Sequence, residues 1–247
     1  AGLLALLASG NVVGYRFTIV EGWSLNQLLD ALRLDPVLEH TVDTAVDLEG
    51  LPDMPPGKPE GWFLPETYVF TRGDTDLHIL RRAYAAMLAE LETVWAGRDI
   101  GLPYETQYEL LTMASIIEKE TSLESERADI AGVFVRRLQE RWRLETDPTV
   151  IYGMGEDYQG DIRRKDLRAD TPYNTYTRHG LPPTPIAMPG LASLKAAAHP
   201  ASGDAMFFVA NGQGGHTFSS TLEEHNVAVR KLIAGNGGKN FDPENKE

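Results

Sequence analysis

The sequence contains no cysteine among its 247 residues. This absence excludes disulfide bonds, thiol catalysis and cysteine-ligated metal sites. A chain of this kind fits an enzyme that works outside the cytoplasm without disulfides, although many cytosolic proteins have the same property.

Basic residues are also scarce. Lysine and arginine number 23 against 36 aspartates and glutamates, which gives a formal net charge of −13. Because phosphate binding requires a basic surface, nucleic acid is excluded as an expected partner.

Long apolar runs are missing as well, since no run reaches the length that spans a bilayer. The apolar stretch Ala1–Ala8 is too short, and it lacks the basic residues that open a signal peptide. The chain begins without methionine and its first residues read as the interior of a helix, so we interpret it as truncated at its N-terminus. That interpretation leaves room for a preceding membrane anchor.

Several catalytic motifs are absent. None of the six histidines forms the i, i+4 helical pair of a zinc protease, so we expect no metal and no cofactor. The Gly-Gln-Gly-Gly run at 212–215 lacks the spacing of a phosphate loop, and no Gly-x-Ser-x-Gly motif is present. Nucleotide binding and a serine nucleophile are therefore not expected.

The first segment predicts a small strand–helix unit. Residues 12–20 are rich in β-formers, and Ser24 precedes leucines at helical spacing, as an N-cap does. The stretch FTIVEGWSLNQLL resembles the opening of a LysM module, a small fold that binds N-acetylglucosamine polymers. A generic βα unit explains the same residues. We predict a LysM-like subdomain with its linker over residues 1–60.

The remainder predicts a mainly helical catalytic domain over residues 61–234, followed by a flexible tail over 235–247. The fold class is therefore α+β. Residues 121 and 124 have the pattern of a capping box, which predicts a helix running to about residue 141. The predicted elements are an extended segment at 62–70, helices at 77–95, 106–120, 121–141, 163–167, 191–199 and 221–233, and a hairpin of strands 206–210 and 216–218.

One glutamate falls on the apolar face of the helix over 106–120. Glu120 lies three residues after Ile117 and seven after Met113, whereas Glu118 lies off this stripe. Desolvation raises the pKa of a half-buried carboxylic acid, as a general acid near neutral pH requires. The alternatives are that Glu120 is solvated at the helix end or pairs with Arg127.

A two-carboxylate hydrolase would need a second acidic group. The candidates are Asp147, in ETDP, and Glu66, in PET. Each has a simpler explanation, because aspartate before proline is common in turns and Glu66 can act as a cap or an ion-pair partner.

Polar aromatic residues are concentrated in the loop-rich stretch 146–200. TPYNTY supplies Tyr173, Asn174 and Tyr176 within six residues, and Tyr152 precedes it. Aromatic faces and amide groups bind sugars, but a tyrosine-rich packing loop would have the same composition. Farther on, His216 and His225 are predicted to approach each other.

These motifs together resemble one family. EGWFLPETYVF, MASIIEKET, SERADIAGVFVRRL, LETDPTVIYGMG, TPYNTYTRHGLPPTPIAMPG, SLKAAAHP and GGHTFSSTLEEHN occur in this order between about residues 12 and 233. They are similar to the YceG-like endolytic murein lytic transglycosylases.

The resemblance implies a single-pass protein of the bacterial inner membrane whose catalytic domain lies in the periplasm and acts beside peptidoglycan synthases. It implies endolytic cleavage between N-acetylmuramic acid and N-acetylglucosamine, which leaves 1,6-anhydro-N-acetylmuramic acid ends. The family's catalytic glutamate falls in EKET at 118–121, and we assign it to Glu120, with Thr121 beside it as a hydroxyl that orients the carboxyl. The expected substrate-binding residues are Thr121, Thr146, Asp147, Tyr152, Tyr173, Asn174, Tyr176, His216 and Asn226.

Such a reaction explains the missing second carboxylate, because one glutamate acts first as acid and then as base and water is not activated. Two alternatives stay open: a muramidase that uses water and two carboxylates, and a peptidoglycan-binding scaffold without catalytic activity.

Overall fold

The computed structural model describes residues 13–48, 51, 54 and 59–235. The predicted apolar start at 1–8, most of the Pro- and Gly-rich linker and the tail from residue 236 lie outside the described residues.

The N-terminal unit consists of strand β1 (Tyr15–Thr18) and helix α1 (Leu25–Arg33). The predicted cap is confirmed: the Ser24 side chain accepts from Gln27 N, and Gln27 Oε1 accepts from Ser24 N at 2.9 Å. Leucines at helical spacing are buried on one face of α1. The sequence pattern and the packing therefore agree, because a short helix is stabilised mainly by burying its apolar face.

Strand β1 pairs in an antiparallel register with β2 (Thr67–Phe70), Tyr15 lying opposite Phe70. This pairing crosses the predicted division between residues 60 and 61. The division stays a prediction, but any LysM-like unit in this chain has to include β2, because β1 would otherwise lose its only hydrogen-bonded neighbour in that sheet.

The rest of the described chain is mainly helical. Turns of 3₁₀ helix occur at Ala45–Leu48, Glu124–Glu126 and Gly155–Asp157. A hairpin of β3 (Phe207–Ala210) and β4 (His216–Ser219) forms the second small sheet. The helices are α2 (Asp76–Gly97), α3 (Gln107–Glu120), α4 (Arg127–Gln139), α5 (Asp147–Met154), α6 (Arg164–Arg168), α7 (Leu191–Ala198) and α8 (Leu222–Gly235). This architecture confirms the α+β class.

Helix α3 lies at the centre of the core. It packs against α7 and also against α2, α4 and α5, and every residue from Leu110 to Ile117 is buried. A helix enclosed on all sides has no single inward stripe. Its last turn therefore cannot be assigned to the interior or the surface from periodicity alone.

The predicted capping box at Thr121 is wrong. Thr121 Oγ1 accepts from Leu123 N at 3.0 Å, and the chain forms a 3₁₀ turn before α4 begins at Arg127. Across the part of the chain that the structure describes, no helix combines the length and apolar character needed to cross a bilayer.

Candidate active site

Glu120 ends α3 and opens onto a cavity of about 220 Å³. The cavity lies between the end of α3, the start of α5 and the β3–β4 hairpin. Its lining combines charged and polar side chains with the apolar residues Phe208 and Val209 of β3. The lining residues are Glu120, Arg137, Glu145, Thr146, Asp147, Tyr176, Phe208, Val209, Ala210 and His216.

Burial raises the pKa of the Glu120 carboxyl to about 7, and the negative charge of Asp147 acts in the same direction. The hydrogen bond from Thr146 and the positive charge of Arg137 oppose this rise, as does His216 when its ring is protonated. A carboxylic acid with a pKa near neutrality can both donate and accept a proton under physiological conditions.

The hydroxyl that orients Glu120 belongs to Thr146 and not to the predicted Thr121. Thr146 Oγ1 donates to Glu120 Oε1, whereas Thr121 is engaged with Leu123. Thr146 is itself held, because its backbone N donates to Thr175 Oγ1 at 3.1 Å and its side chain is buried. The donor to Glu120 is therefore fixed before any ligand arrives.

Asp147 lies in the same cavity and is bound to a tyrosine. Tyr176 Oη donates to Asp147 Oδ1 at 2.6 Å, and burial together with the charge of Asp147 raises the pKa of Tyr176, which keeps this phenol protonated. Glu66, the other predicted second carboxylate, is exposed beside β2 and does not line the cavity.

The cavity is also lined by two charged residues, Arg137 and Glu145, that no sequence motif indicated. The buried Arg137 donates from Nε to Met206 O at 2.8 Å and from Nη1 to Leu144 O at 2.6 Å, so it fastens the hairpin to α4. Glu145 has a backbone φ of 50°, which lies in a region that residues other than glycine rarely adopt. The position of Arg137 among the apolar residues of α4 is the sequence feature that could have indicated a buried arginine.

The Asn174 side chain, which is predicted to contact sugar, is occupied by hydrogen bonds within the protein. It is 1 % exposed and lies among backbone groups of its own loop. Nδ2 lies within 3.1 Å of the carbonyl oxygens of Asp166, Leu167 and Ala169, and Oδ1 accepts from Tyr176 N. The amide thus holds the loop that presents Tyr176 to the cavity.

The predicted sugar-binding pair Tyr152 and Tyr173 lies outside this cavity. Their rings are 5.0 Å apart, Tyr152 Oη donates to Glu60 Oε2 at 3.0 Å, and the Tyr173 hydroxyl bonds to that of Thr184. Both tyrosines pack against the hydrophobic core. Their contacts are those of the alternative explanation, in which the tyrosines pack the loop against the core.

The predicted approach of His216 and His225 is wrong. His225 stacks on Phe207, whereas His216 contacts the edge of Phe208. Successive residues of a strand face opposite sides, so the hairpin separates the two histidines. His216 lines the cavity, whereas Asn226 on α8 is exposed and does not.

Glu118 is buried, contrary to the prediction that it lies off the inward face. Its side chain is 5 % exposed, and Oε1 accepts from Nη2 of Arg127 at 3.2 Å. Oε2 accepts from Gly190 N at 3.0 Å and from Ser193 Oγ at 2.7 Å. Arg127 therefore pairs with Glu118, which removes the alternative that it pairs with Glu120.

No group of three or more His, Asp or Glu side chains within the described ranges could hold a metal ion. The fold and the cavity define a class: an α+β protein in which a desolvated carboxylic acid lines a polar cavity.

The particular family follows from comparison with known proteins. The chain belongs to the YceG-like family, whose sequence model matches residues 1–231. A crystal structure of a YceG-like protein from Listeria monocytogenes superposes with a TM-score of 0.69 at 31% identity, covering 92% of this chain and 80% of that one.

Two curated relatives are similar over most of this chain. An endolytic murein transglycosylase of Bacillus subtilis is 38% identical over 180 residues, which are 73% of this chain and 49% of the relative. One of Streptococcus pneumoniae is 31% identical over 194 residues, which are 75% of this chain and 35% of the relative. The chain spans about half or less of the length of these relatives.

Proposed function

We propose that this chain is an endolytic lytic transglycosylase of peptidoglycan that uses Glu120 as its single acid–base group. The observation that carries the proposal is the desolvated Glu120 carboxyl, which has a pKa of about 7 and faces a polar cavity. The names of the two curated relatives supply the reaction class and the substrate.

In the first step, protonated Glu120 donates its proton to the glycosidic oxygen between N-acetylmuramic acid and N-acetylglucosamine. The bond from that oxygen to C1 of the muramoyl residue breaks, and an oxocarbenium-like charge develops on the sugar ring. The new carboxylate remains held by Thr146 Oγ1 and is near the positive charge of Arg137.

In the second step, the 6-hydroxyl of the same muramoyl residue attacks C1 and gives its proton to the Glu120 carboxylate. The product is a 1,6-anhydro ring, and Glu120 is again protonated. One carboxyl group serves both steps because the acid of the first is the base of the second. Water has to be kept from C1, and the apolar lining residues Phe208 and Val209 contribute to this.

A water-using muramidase is the second candidate, because Asp147 lies in the same cavity as Glu120. Its carboxylate is engaged by Tyr176 at 2.6 Å. In the proposed transglycosylase this pair positions the sugar, whereas in a muramidase Asp147 would act as base or nucleophile. A non-catalytic glycan-binding scaffold is the third alternative.

The proposal extends to location and partners. We place the catalytic region on the periplasmic side of the bacterial inner membrane, anchored by a single N-terminal helix and acting beside peptidoglycan synthases on nascent glycan strands. The LysM-like stretch at 17–29 is proposed to contact the same strands. Support comes from the family membership alone, and colocalisation of the tagged full-length protein with a synthase tests it.

Mass spectrometry of purified glycan strands after digestion tests the reaction. The wild type is expected to release internal fragments with 1,6-anhydro ends, and Glu120→Gln is expected to release none. Asp147→Asn separates the candidates, because a muramidase would lose its second carboxylate and the transglycosylase would only be slowed. Reducing ends would identify a muramidase, and bound but uncut strands would identify a scaffold.

A further inference from the structure

Glu126 makes two hydrogen bonds with His216, which lines the cavity beside Glu120. Its Oε1 accepts from the backbone N of His216 at 2.8 Å, and its Oε2 lies 2.8 Å from His216 Nδ1. The two side chains are 16% and 17% exposed. Glu126 ends the 3₁₀ turn before α4, so a residue distant in sequence holds the first residue of β4.

The backbone of the hairpin leaves space for this carboxylate. A Cβ placed on Gly215 would lie 2.4 Å from Glu126 Oε1, so any other residue at this position would displace the carboxylate from His216. Asn211 Oδ1 accepts from the backbone N of Gln213 and of Gly215, which closes the turn ahead of His216. The turn and the carboxylate together fix where the imidazole lies.

The contact also determines which ring nitrogen carries the proton. Partial burial acts to raise the pKa of the Glu126 carboxyl, but the hydrogen bonds from His216 outweigh it and hold the pKa below its ordinary value. An ionised carboxylate only accepts hydrogen bonds, so Nδ1 of His216 has to be the donor. In the neutral ring Nε2 is then an acceptor.

The rest of the ring is held by aromatic contacts. The imidazole stands at 89° to the ring of Phe208, with centroids 5.4 Å apart, and His216 lines the cavity that Glu120 faces. With Nδ1 engaged by Glu126, Nε2 is the nitrogen left for a ligand in that cavity. Sugar hydroxyl and acetamido N–H groups are the donors that an acceptor of this kind binds.

We propose that Glu126 is a positioning residue that fixes His216 as a hydrogen-bond acceptor for a hydroxyl or acetamido N–H of the sugar bound beside Glu120. This inference rests on the proposed function for its substrate class. It assigns Glu126 a role that depends on the tautomer of His216 and not on a direct contact with the glycan.

The test compares Glu126→Gln with Glu124→Gln, an exposed glutamate of the same 3₁₀ turn. The glutamine amide can donate to Nδ1 and so favour the tautomer with the proton on Nε2. We expect Glu126→Gln to lower kcat/KM on purified glycan strands roughly 10-fold, the loss of about one hydrogen bond. We expect Glu124→Gln to retain the wild-type value.

Nitrogen-15 NMR of His216 provides a readout that a purely structural role would not move. In the neutral ring of the wild type we expect a protonated Nδ1 and a bare Nε2, and in Glu126→Gln a shift towards protonated Nε2. In the Glu120→Gln background, which is expected to bind glycan without cutting it, added strands should shift the Nε2 signal.

An unchanged tautomer in Glu126→Gln, or a fall in melting temperature with full activity per folded molecule, would overturn the inference. If the wild type cuts no glycan, the proposed function fails, while the Nε2 shift on adding strands still decides whether His216 contacts sugar. No shift in that titration would also overturn the inference.

Discussion

The hydroxyl of Thr146 donates a hydrogen bond to Oε1 of Glu120, which joins the residue before α5 to the last residue of α3. The two residues are 26 positions apart. Because Thr146 is buried and held by Thr175, the carboxyl of Glu120 has a fixed orientation towards the cavity.

Glu120→Gln removes the proton donor while keeping the size of the side chain. We expect cleavage of purified glycan strands to fall by at least ~10²–10⁴-fold, the range typical of general acid–base catalysis. Stability is expected to hold or rise slightly above neutral pH, because a desolvated carboxylate is costly to ionise. Circular dichroism serves as the folding control, and a variant that remains active would remove Glu120 from the mechanism.

Glu118→Gln is expected to act on stability and not on the reaction. It weakens a buried cluster in which Glu118 binds Arg127, Ser193 and the backbone N of Gly190. Loss of charged hydrogen bonds in such a place costs about 1–3 kcal/mol. The melting temperature should fall while activity per folded molecule is retained. A stable but inactive variant would instead show that Glu118 is the acid.

Asn174→Ala and Tyr176→Phe form a matched pair from one loop. The first removes a buried amide that binds backbone carbonyls, so we expect a loss of stability of about 1–3 kcal/mol in urea unfolding. The second removes only the hydroxyl that binds Asp147, so we expect wild-type stability and a roughly 10-fold lower kcat/KM. The reverse pattern would mean that Asn174 contacts sugar and Tyr176 supports the fold.

The pH profile of activity should have an alkaline limb near pH 7. Burial raises the pKa of Glu120 to about 7, and the first chemical step needs the protonated acid. We therefore expect kcat/KM to fall tenfold per pH unit above that value. Measurement between pH 5 and 9 on purified strands tests this, and a limb below pH 5.5 would contradict the assigned protonation state.

Stability should also depend on pH through Glu60 and Glu120. Burial raises the pKa of each from 4.5 to about 7. Folding thus favours the protonated forms, and the stability they confer is fully present below pH 4.5 and is lost as the pH rises through about 7. Each group contributes on the order of 3 kcal/mol to this loss. Urea unfolding of Glu60→Gln should give a flatter pH dependence than the wild type.

Deletion of residues 1–60 is expected to destabilise the remaining chain and not merely to remove a glycan-binding unit. The deletion leaves β2 without its partner β1 and removes buried residues of β1 and α1 that belong to the shared hydrophobic core. Loss of the cooperative unfolding transition by circular dichroism would agree with this. An intact, folded fragment that binds shorter strands less well would support a separable LysM-like subdomain.

Local chemistry made part of this protein predictable. The capping box of α1 uses residues three positions apart, and the spacing of Glu120 to Ile117 and Met113 correctly predicted a desolvated carboxyl at this position. The capping box depends only on neighbours along one helix, which a sequence displays directly. The sequence also determined the family, through motifs spread over most of the chain.

Contacts between distant segments were decided only by the tertiary structure. Glu118 lies off the apolar stripe in sequence, but α7 and Arg127 close over it, so its burial depends on residues up to 75 positions away. Thr121 is adjacent to Glu120 in the chain, yet the hydroxyl that reaches the carboxyl comes from Thr146. Helical periodicity describes one element, whereas burial and hydrogen bonding at a helix end depend on which other elements fold against it.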